Sequence, residues 1–164
     1  MVTCSYTTAY RDKEDRMYDI RHRIGVEASP TTVYGHIATI DGLRQWWTTD
    51  TQGQSSVGDK VSFHFGGQDR FMTMEVVELD PGRRVAWRCI EGPEEWIDTK
   101  ISFDLRDIDG ETILNFTHAG WREPVEFMGH CSSKWGSYLL SLKRAIETGS
   151  GSPFPNDVKV SRFD

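Results

Sequence analysis

The run Pro124-Val-Glu-Phe127-Met128-Gly-His130-Cys131-Ser-Ser-Lys-Trp135-Gly-Ser-Tyr138-Leu139-Leu-Ser-Leu142-Lys-Arg-Ala-Ile146-Glu-Thr148 decides how the chain is built. Its apolar residues Phe127 or Met128, Cys131, Trp135, Tyr138 with Leu139, Leu142 and Ile146 fall at steps of three and four. That spacing puts them on one face of a helix. Pro124 suits the first helical turn, and Gly149-Ser-Gly-Ser-Pro153 stops the helix near Thr148. A helix of this length with one continuous apolar stripe needs a broad surface to cover, and the residues before it supply one.

Upstream, the period is two. Tyr18, Ile20, His22, Ile24 and Val26 alternate with polar residues or glycine, the pattern of a strand with one buried face. Five further strands are predicted: Lys60–Phe65, Arg70–Leu79, Arg84–Ile90, Asp98–Arg106 and Glu111–Ala119. Each ends in turn chemistry, such as Gly66-Gly67, Asp80-Pro81-Gly82 or Asp109-Gly110. Short connections make successive strands antiparallel neighbours. Between the first strand and the rest, Ser29-Pro30 starts a short helix carried by Val33, Ile37 and Ile40. Asp41-Gly42 is expected to interrupt it, and Leu43–Trp47 to form a second short helix, followed by a loop from Gln52 to Asp59. The layering is α+β, a curved antiparallel six-stranded sheet wrapped around one long C-terminal helix.

A chain of 164 residues makes one domain. We divide it into an N-terminal arm (1–16), a folded domain (17–148) and a C-terminal tail (149–164) from which Phe154 and Val158 can dock on the body. A net charge of −6 and the lack of a long basic run argue against nucleic acid as a partner. No apolar run is long enough for membrane insertion, and residues 1–10 lack the apolar core of a secretory signal, which makes the cytoplasm the expected location. Cys4, Cys89 and Cys131 are odd in number and widely spaced, so they are expected as reduced thiols.

Three stretches carry a resemblance to a known family. They are the pair Trp46-Trp47, the hairpin Val77-Glu-Leu-Asp-Pro-Gly-Arg-Arg-Val-Ala-Trp-Arg88, and the strand Gly110-Glu-Thr-Ile-Leu-Asn-Phe-Thr-His-Ala-Gly-Trp121 followed by Trp135-Gly-Ser-Tyr-Leu-Leu-Ser-Leu142. Between about Tyr18 and Thr148 the sequence resembles the START-like (SRPBCC) superfamily, and within it the branch named after the activator of Hsp90 ATPase homologue. The resemblance implies the helix-grip (START/Bet v1-like) fold, in which sheet and terminal helix enclose an elongated apolar cavity used for lipids, polyketides or other hydrophobic small molecules. Members include binding proteins, cyclases and co-chaperone domains, so the fold does not choose among them.

The residues that can line such a cavity follow from chemistry. Methionine and aromatic side chains adapt to irregular ligands, which singles out Met72, Met74, Trp87 and Phe116 on the strands, and Trp121, Met128 and Trp135 around the long helix. Trp46 and Trp47 follow the short helices. Neighbours on a helix point about 100° apart, so one ring is expected in the core and the other, Trp47, at the cavity entrance. His118 and, on the following helix, His130-Cys131 can converge there as polar groups, with His118 as the weak candidate for a general base and Cys131 for a nucleophile, a reading that ranks below the alternative. The expected alternative for both is a hydrogen-bonded histidine and a packed thiol. His130 and Cys131 are adjacent on a helix and do not share a face, so no metal site is expected from them with His118, and no cofactor is expected. Glu94, Glu95 and Asp98 read as a solvated acidic loop.

These readings rank a non-enzymatic binder of a hydrophobic small molecule, lipid- or polyketide-like, above a cyclase- or hydrolase-type enzyme using His118. Both stand above a co-chaperone-like module that binds a chaperone-type protein. Either a monomer or a homodimer suits the sequence, since a sheet edge can pair with a second copy.

Overall fold

The computed structural model describes residues 17–164. Its elements run β1 (Tyr18–Val26), α1 (Pro30–Ala38), α2 (Ile40–Arg44), β2 (Thr51–Gly53), β3 (Lys60–His64), β4 (Phe71–Asp80), β5 (Arg84–Glu91), a 3₁₀ turn (Glu94–Trp96), β6 (Lys100–Ile108), β7 (Glu111–Trp121) and α3 (Glu126–Thr148). The strands form one antiparallel sheet in the order β1-β7-β6-β5-β4-β3-β2. The expected arm, with Cys4, lies outside the described residues.

The sheet has seven strands where the sequence suggests six. The added one, β2, is three residues long and pairs with β3 at the sheet edge. It lies at the start of the stretch expected as a loop, and its residues Thr51, Gln52 and Gly53 carry no apolar alternation, so periodicity has nothing to read there. What fixes it is hydrogen bonding. Thr48 Oγ1 donates to the His64 carbonyl at 2.7 Å, and the buried Thr51 hydroxyl donates to the Thr48 carbonyl at 2.8 Å.

The break between the short helices also moves. Ser29 caps α1 as expected, accepting from Thr32 N, and Pro30 opens it. The interruption falls at Thr39, not at Asp41-Gly42. Thr39 is extended (φ −121°, ψ 150°), and its hydroxyl accepts from Gly42 N at 3.0 Å to cap α2. Gly42 is helical, and its role is steric: a Cβ there would run into the Gly35 carbonyl and the His36 backbone. Glycine lets the two helices touch.

The tryptophan pair follows α2 in a turn, which frees both rings from the helical constraint. Trp46 and Trp47 are both buried, with relative exposures of 0% and 2%, and stack with centroids 5.9 Å apart. Trp47 is therefore not an exposed rim residue. Its ring lies 4.1 Å from Phe63 and stacks on Trp87 at 6.0 Å, in the middle of the core. Trp46 is tied down by its indole N–H, which donates to the His36 carbonyl at 2.9 Å.

α3 crosses the concave face of the sheet. It starts two residues later than the proline suggests, with Val125 as its N-cap residue, and ends at Gly149, whose left-handed conformation (φ 78°) returns its N–H to the Ala145 carbonyl. The chain then continues across the body. Phe154 makes a parallel bridge with Thr48 and packs edge-on against Phe65 at 5.6 Å, while Val158 is exposed at 60%.

Candidate functional site

A cavity of about 400 Å³ opens where α3 begins. This lies within the size range of ligand pockets. Its walls come from four places: the β3–β4 turn with Phe65 to Met72, the β5–β6 connection with Gly92, Pro93 and Trp96, the first half of α3, and the segment after Ser150 with Phe154, Asp157, Lys159 and Asp164. Its floor is aromatic. Trp135 lies 4.9 Å from Trp47 and stacks with Trp96 at 5.9 Å, and Trp47, Trp96 and Trp135 all border the space.

The floor is held from below by a hydrogen-bond chain. The Trp135 indole N–H donates to His118 Nδ1 at 3.2 Å. Indole is a donor only, so Nδ1 is the acceptor and the ring carries its proton on Nε2, which donates to Thr99 Oγ1 at 2.8 Å. The Thr99 hydroxyl in turn donates to the Trp96 carbonyl at 2.5 Å. Both ring nitrogens are used, His118 has no exposed surface, and burial pushes its pKa down to about 3. His118 is neutral at physiological pH, holds the Trp135 indole directly and reaches the Trp96 backbone carbonyl through Thr99.

The thiols are equally quiet. Burial pushes Cys131 up to about 12 and Cys89 up to about 11, which leaves both protonated. Cys131 borders the cavity together with His130, but neither histidine is hydrogen-bonded to it: His118 spends its lone pair on Trp135, and His130 Nε2 lies 3.7 Å from Asp164 Oδ1.

One wall is polar. Lys134 Nζ on α3 donates to Asp157 Oδ2 at 2.5 Å, to the Val158 carbonyl at 3.0 Å and to Asp164 Oδ2 at 3.3 Å. Tyr138 donates its hydroxyl to Asp157 Oδ2 at 2.9 Å, and Lys159 donates to Oδ1 at 2.7 Å. The carboxylate side chains are 2% and 3% exposed, and burial works to raise the pKa of each. Hydrogen bonds outweigh it, from Lys134, Lys159 and Tyr138 at Asp157 and from Val160 N and Lys134 at Asp164, and hold both below the usual carboxylate range. Burial first, and Asp157 second, push the Tyr138 phenol up.

Of the residues that the sequence suggests as liners, Trp47, Met72, Cys131 and Trp135 border this cavity. Trp46, Met74, Trp87, Phe116, His118 and Trp121 are buried in the core beneath or beside it. Their strand alternation is as read, but α3 and the tryptophans fill the space above them. Met128, half-buried, packs against the same core and does not reach the cavity wall. His118 and Cys131 are not hydrogen-bonded to each other: His118 is bonded to the Trp135 indole, and Cys131 borders the cavity.

Sequence reasoning missed Trp96, Tyr138, Phe154 and the Lys134–Asp157 pair as site residues. Trp96 carried a readable signal, a large apolar ring within the otherwise acidic Glu94-Glu95-Trp96-Ile97-Asp98 loop. The ion pair carried none, since a helical lysine and a tail aspartate normally face water. His22, which the alternation of the first strand places on its buried face, meets the Ser132 carbonyl at 3.0 Å. Among the described residues no group of three His, Cys, Asp or Glu side chains is placed to hold a metal ion, and no helix is long and apolar enough to cross a membrane.

The family model described as "Activator of Hsp90 ATPase homolog 1-like protein" matches residues 27–147. The solution structure of the Aha1 dimer from Colwellia psychrerythraea is 42% identical, covers 82% of this chain and 99% of its own, and superposes with a TM-score of 0.75. A protein of Staphylococcus saprophyticus at 15% identity covers 82% of this chain and 95% of its own with a TM-score of 0.68. CalU16 from Micromonospora echinospora at 17% identity covers 80% and 77% with a TM-score of 0.63. The last two share the fold, and the helix-grip architecture is common to all. No curated protein matches.

Proposed function

Because the chain belongs to the activator of Hsp90 ATPase homologue 1-like family, we propose that it binds a hydrophobic small molecule in the cavity between sheet, α3 and the segment after Ser150, without catalysing its conversion. The observation that carries this reading is the floor of three indoles, Trp47, Trp96 and Trp135, beneath a cavity of about 400 Å³. Indole faces offer broad apolar contact at fixed geometry, which suits a flat or elongated ligand of lipid- or polyketide-like character. The absence of catalysis is inferred from the state of the reactive groups: a general base needs a free lone pair, and that of His118 is committed to Trp135. We place the protein in the cytoplasm.

The test is titration with 1-anilinonaphthalene-8-sulfonate, an anionic dye whose aromatic rings brighten when shielded from water. The wild type is expected to bind it at one saturable site, and Met72→Trp, which fills the cavity from the β4 side, to lose at least about tenfold in affinity while staying folded. Equal binding by both proteins would place the dye elsewhere and remove the reading.

A second reading is favoured by the family's description and by the name of the Colwellia protein: a surface contact with an Hsp90-type ATPase. It predicts that the purified protein changes the ATPase rate of such a chaperone; no complex and no rate change would end it. The Colwellia protein is described as a dimer, and light scattering decides between monomer and homodimer for this chain.

A further inference from the structure

The segment after α3 lies beyond the matched family residues 27–147, yet it builds a full side of the cavity. Its attachment is uneven along its length. The root is bound tightly: Ser152 N donates to Ser141 Oγ at 2.7 Å, Phe154 N to the Trp47 carbonyl at 2.8 Å, and Thr49 N to the Phe154 carbonyl at 3.2 Å. Gly151 sits so close to the Gln45 carbonyl that no Cβ fits. Beyond Pro155 the segment adds no strand to the sheet. Residues 156–164 are held across the cavity mainly by charge, through Lys134 to Asp157 and Asp164, with Tyr138 on Asp157 and Arg70 Nη2 on the Phe163 carbonyl at 3.2 Å.

Little apolar burial supports this outer part. Val158 and Phe163 are 60% and 75% exposed, and Val160 is 39% exposed. A segment fastened by a few polar bonds and little buried surface opens at low free energy, while the body it covers stays folded. The fastening is moreover concentrated on one side chain. Lys134 is the body-side cation shared by both buried carboxylates, so removing it leaves Asp164 without its lysine and Asp157 paired only with Lys159 of the segment itself, a pair that stays intact when the segment lifts.

We propose that residues 156–164 form a strap that gates the cavity, anchored at residues 151–154 and latched by Lys134 on Asp157 and Asp164. Release of the latch admits the ligand. The gating role rests on the binding reading above; the strap's movement does not, because Cys131 reports on it without any ligand. This thiol borders the cavity behind the strap and is 4% exposed, and Cys89 is buried in the sheet away from the cavity lining.

The experiment compares wild type, Lys134→Met and Asp157→Asn, each verified as folded by circular dichroism, in two measurements. The first is the iodoacetamide labelling rate of Cys131 and Cys89, read by peptide mass spectrometry. The second is the stopped-flow association rate of 1-anilinonaphthalene-8-sulfonate. Losing the latch is expected to raise Cys131 labelling about tenfold or more, leave Cys89 unchanged, and raise dye association in parallel. Asp157→Asn, which keeps the shape and a hydrogen-bonding group for Tyr138, guards against a Lys134→Met protein that does not fold. Unchanged Cys131 labelling, or an equal rise at both cysteines, overturns the strap. Faster Cys131 labelling with unchanged dye association overturns the gate and leaves the binding site standing. Faster labelling with no dye binding in any of the three proteins overturns the binding reading and the gate with it.

Discussion

The two halves of α3 use the same apolar stripe for opposite ends. Toward its C-terminus the stripe is Leu139, Leu142 and Ala145, fully packed with Val33, Ile37 and Leu43 of the short helices in one continuous core. Toward its N-terminus it is Cys131, Trp135 and Tyr138, joined by Lys134, and these face a cavity. Aliphatic side chains fill space closely in a few rotamers. Large rigid rings and a buried ion pair instead frame a space, because their shapes and polar tips resist collapse into it. Composition along one helix thus separates structure from site.

Substitutions sharpen this contrast, and their effects fall off from the core outward. Trp47→Ala, which removes a ring touching Phe63, Trp87 and Trp135, is expected to cost about 3–5 kcal/mol in urea denaturation. Leu142→Ala at the filled end is expected to cost about 3 kcal/mol and to leave dye affinity unchanged. A large loss of dye affinity in that variant would erase the distinction between the two halves. Gly42→Ala drives a methyl into the Gly35 carbonyl and is expected to cost about 1–3 kcal/mol, with no change in dye binding. Least affected is the outer sheet face: Asp104→Asn, which breaks the half-exposed pair with Arg84, is expected to cost less than about 1 kcal/mol.

His118 ties the contrast to pH. Its pKa is about 3 in the folded chain against an ordinary 6.5, so below pH 6.5 the unfolded state binds a proton that the folded state refuses. Stability from this group is therefore complete above about pH 6.5 and falls as pH drops toward 3, by about 1.4 kcal/mol per pH unit. Denaturation midpoints measured between pH 7 and pH 4 check this, with His118→Asn expected to flatten the upper part of the curve. An unchanged slope would mean that His118 is not the buried neutral ring described here.

Much of the architecture is legible in the sequence. Period-two runs closed by Asp-Gly or Gly-Gly turns marked the longer strands, and the three- and four-residue steps from Cys131 to Ile146 marked α3, because burial of one face imposes those periods directly. β2 was not readable, since three residues fixed by threonine hydroxyls carry no period. The α1–α2 break was misplaced because glycine next to aspartate signals a turn, whereas Gly42 is present for a close helix contact that no local pattern reveals. The site was half legible for the same reason. Alternation separates a buried face from an exposed one, but does not tell a ring that lines a space, such as Trp135, from one that fills it, such as Trp87 or Phe116. That difference depends on what lies opposite, and at the cavity it is supplied by residues far along the chain, Trp96, Phe154 and Asp157.

The six tryptophans report directly on whether a ligand enters the cavity, because three border it and three do not. Indole Nε1–H resonances, recorded by heteronuclear NMR on ¹⁵N-labelled protein, are followed while 1-anilinonaphthalene-8-sulfonate is added. Saturable shifts are expected to concentrate at Trp47, Trp96 and Trp135, with Trp46, Trp87 and Trp121 moving much less. Shifts confined to surface amides of the sheet, with all six indoles unmoved at dye saturation, would contradict ligand entry.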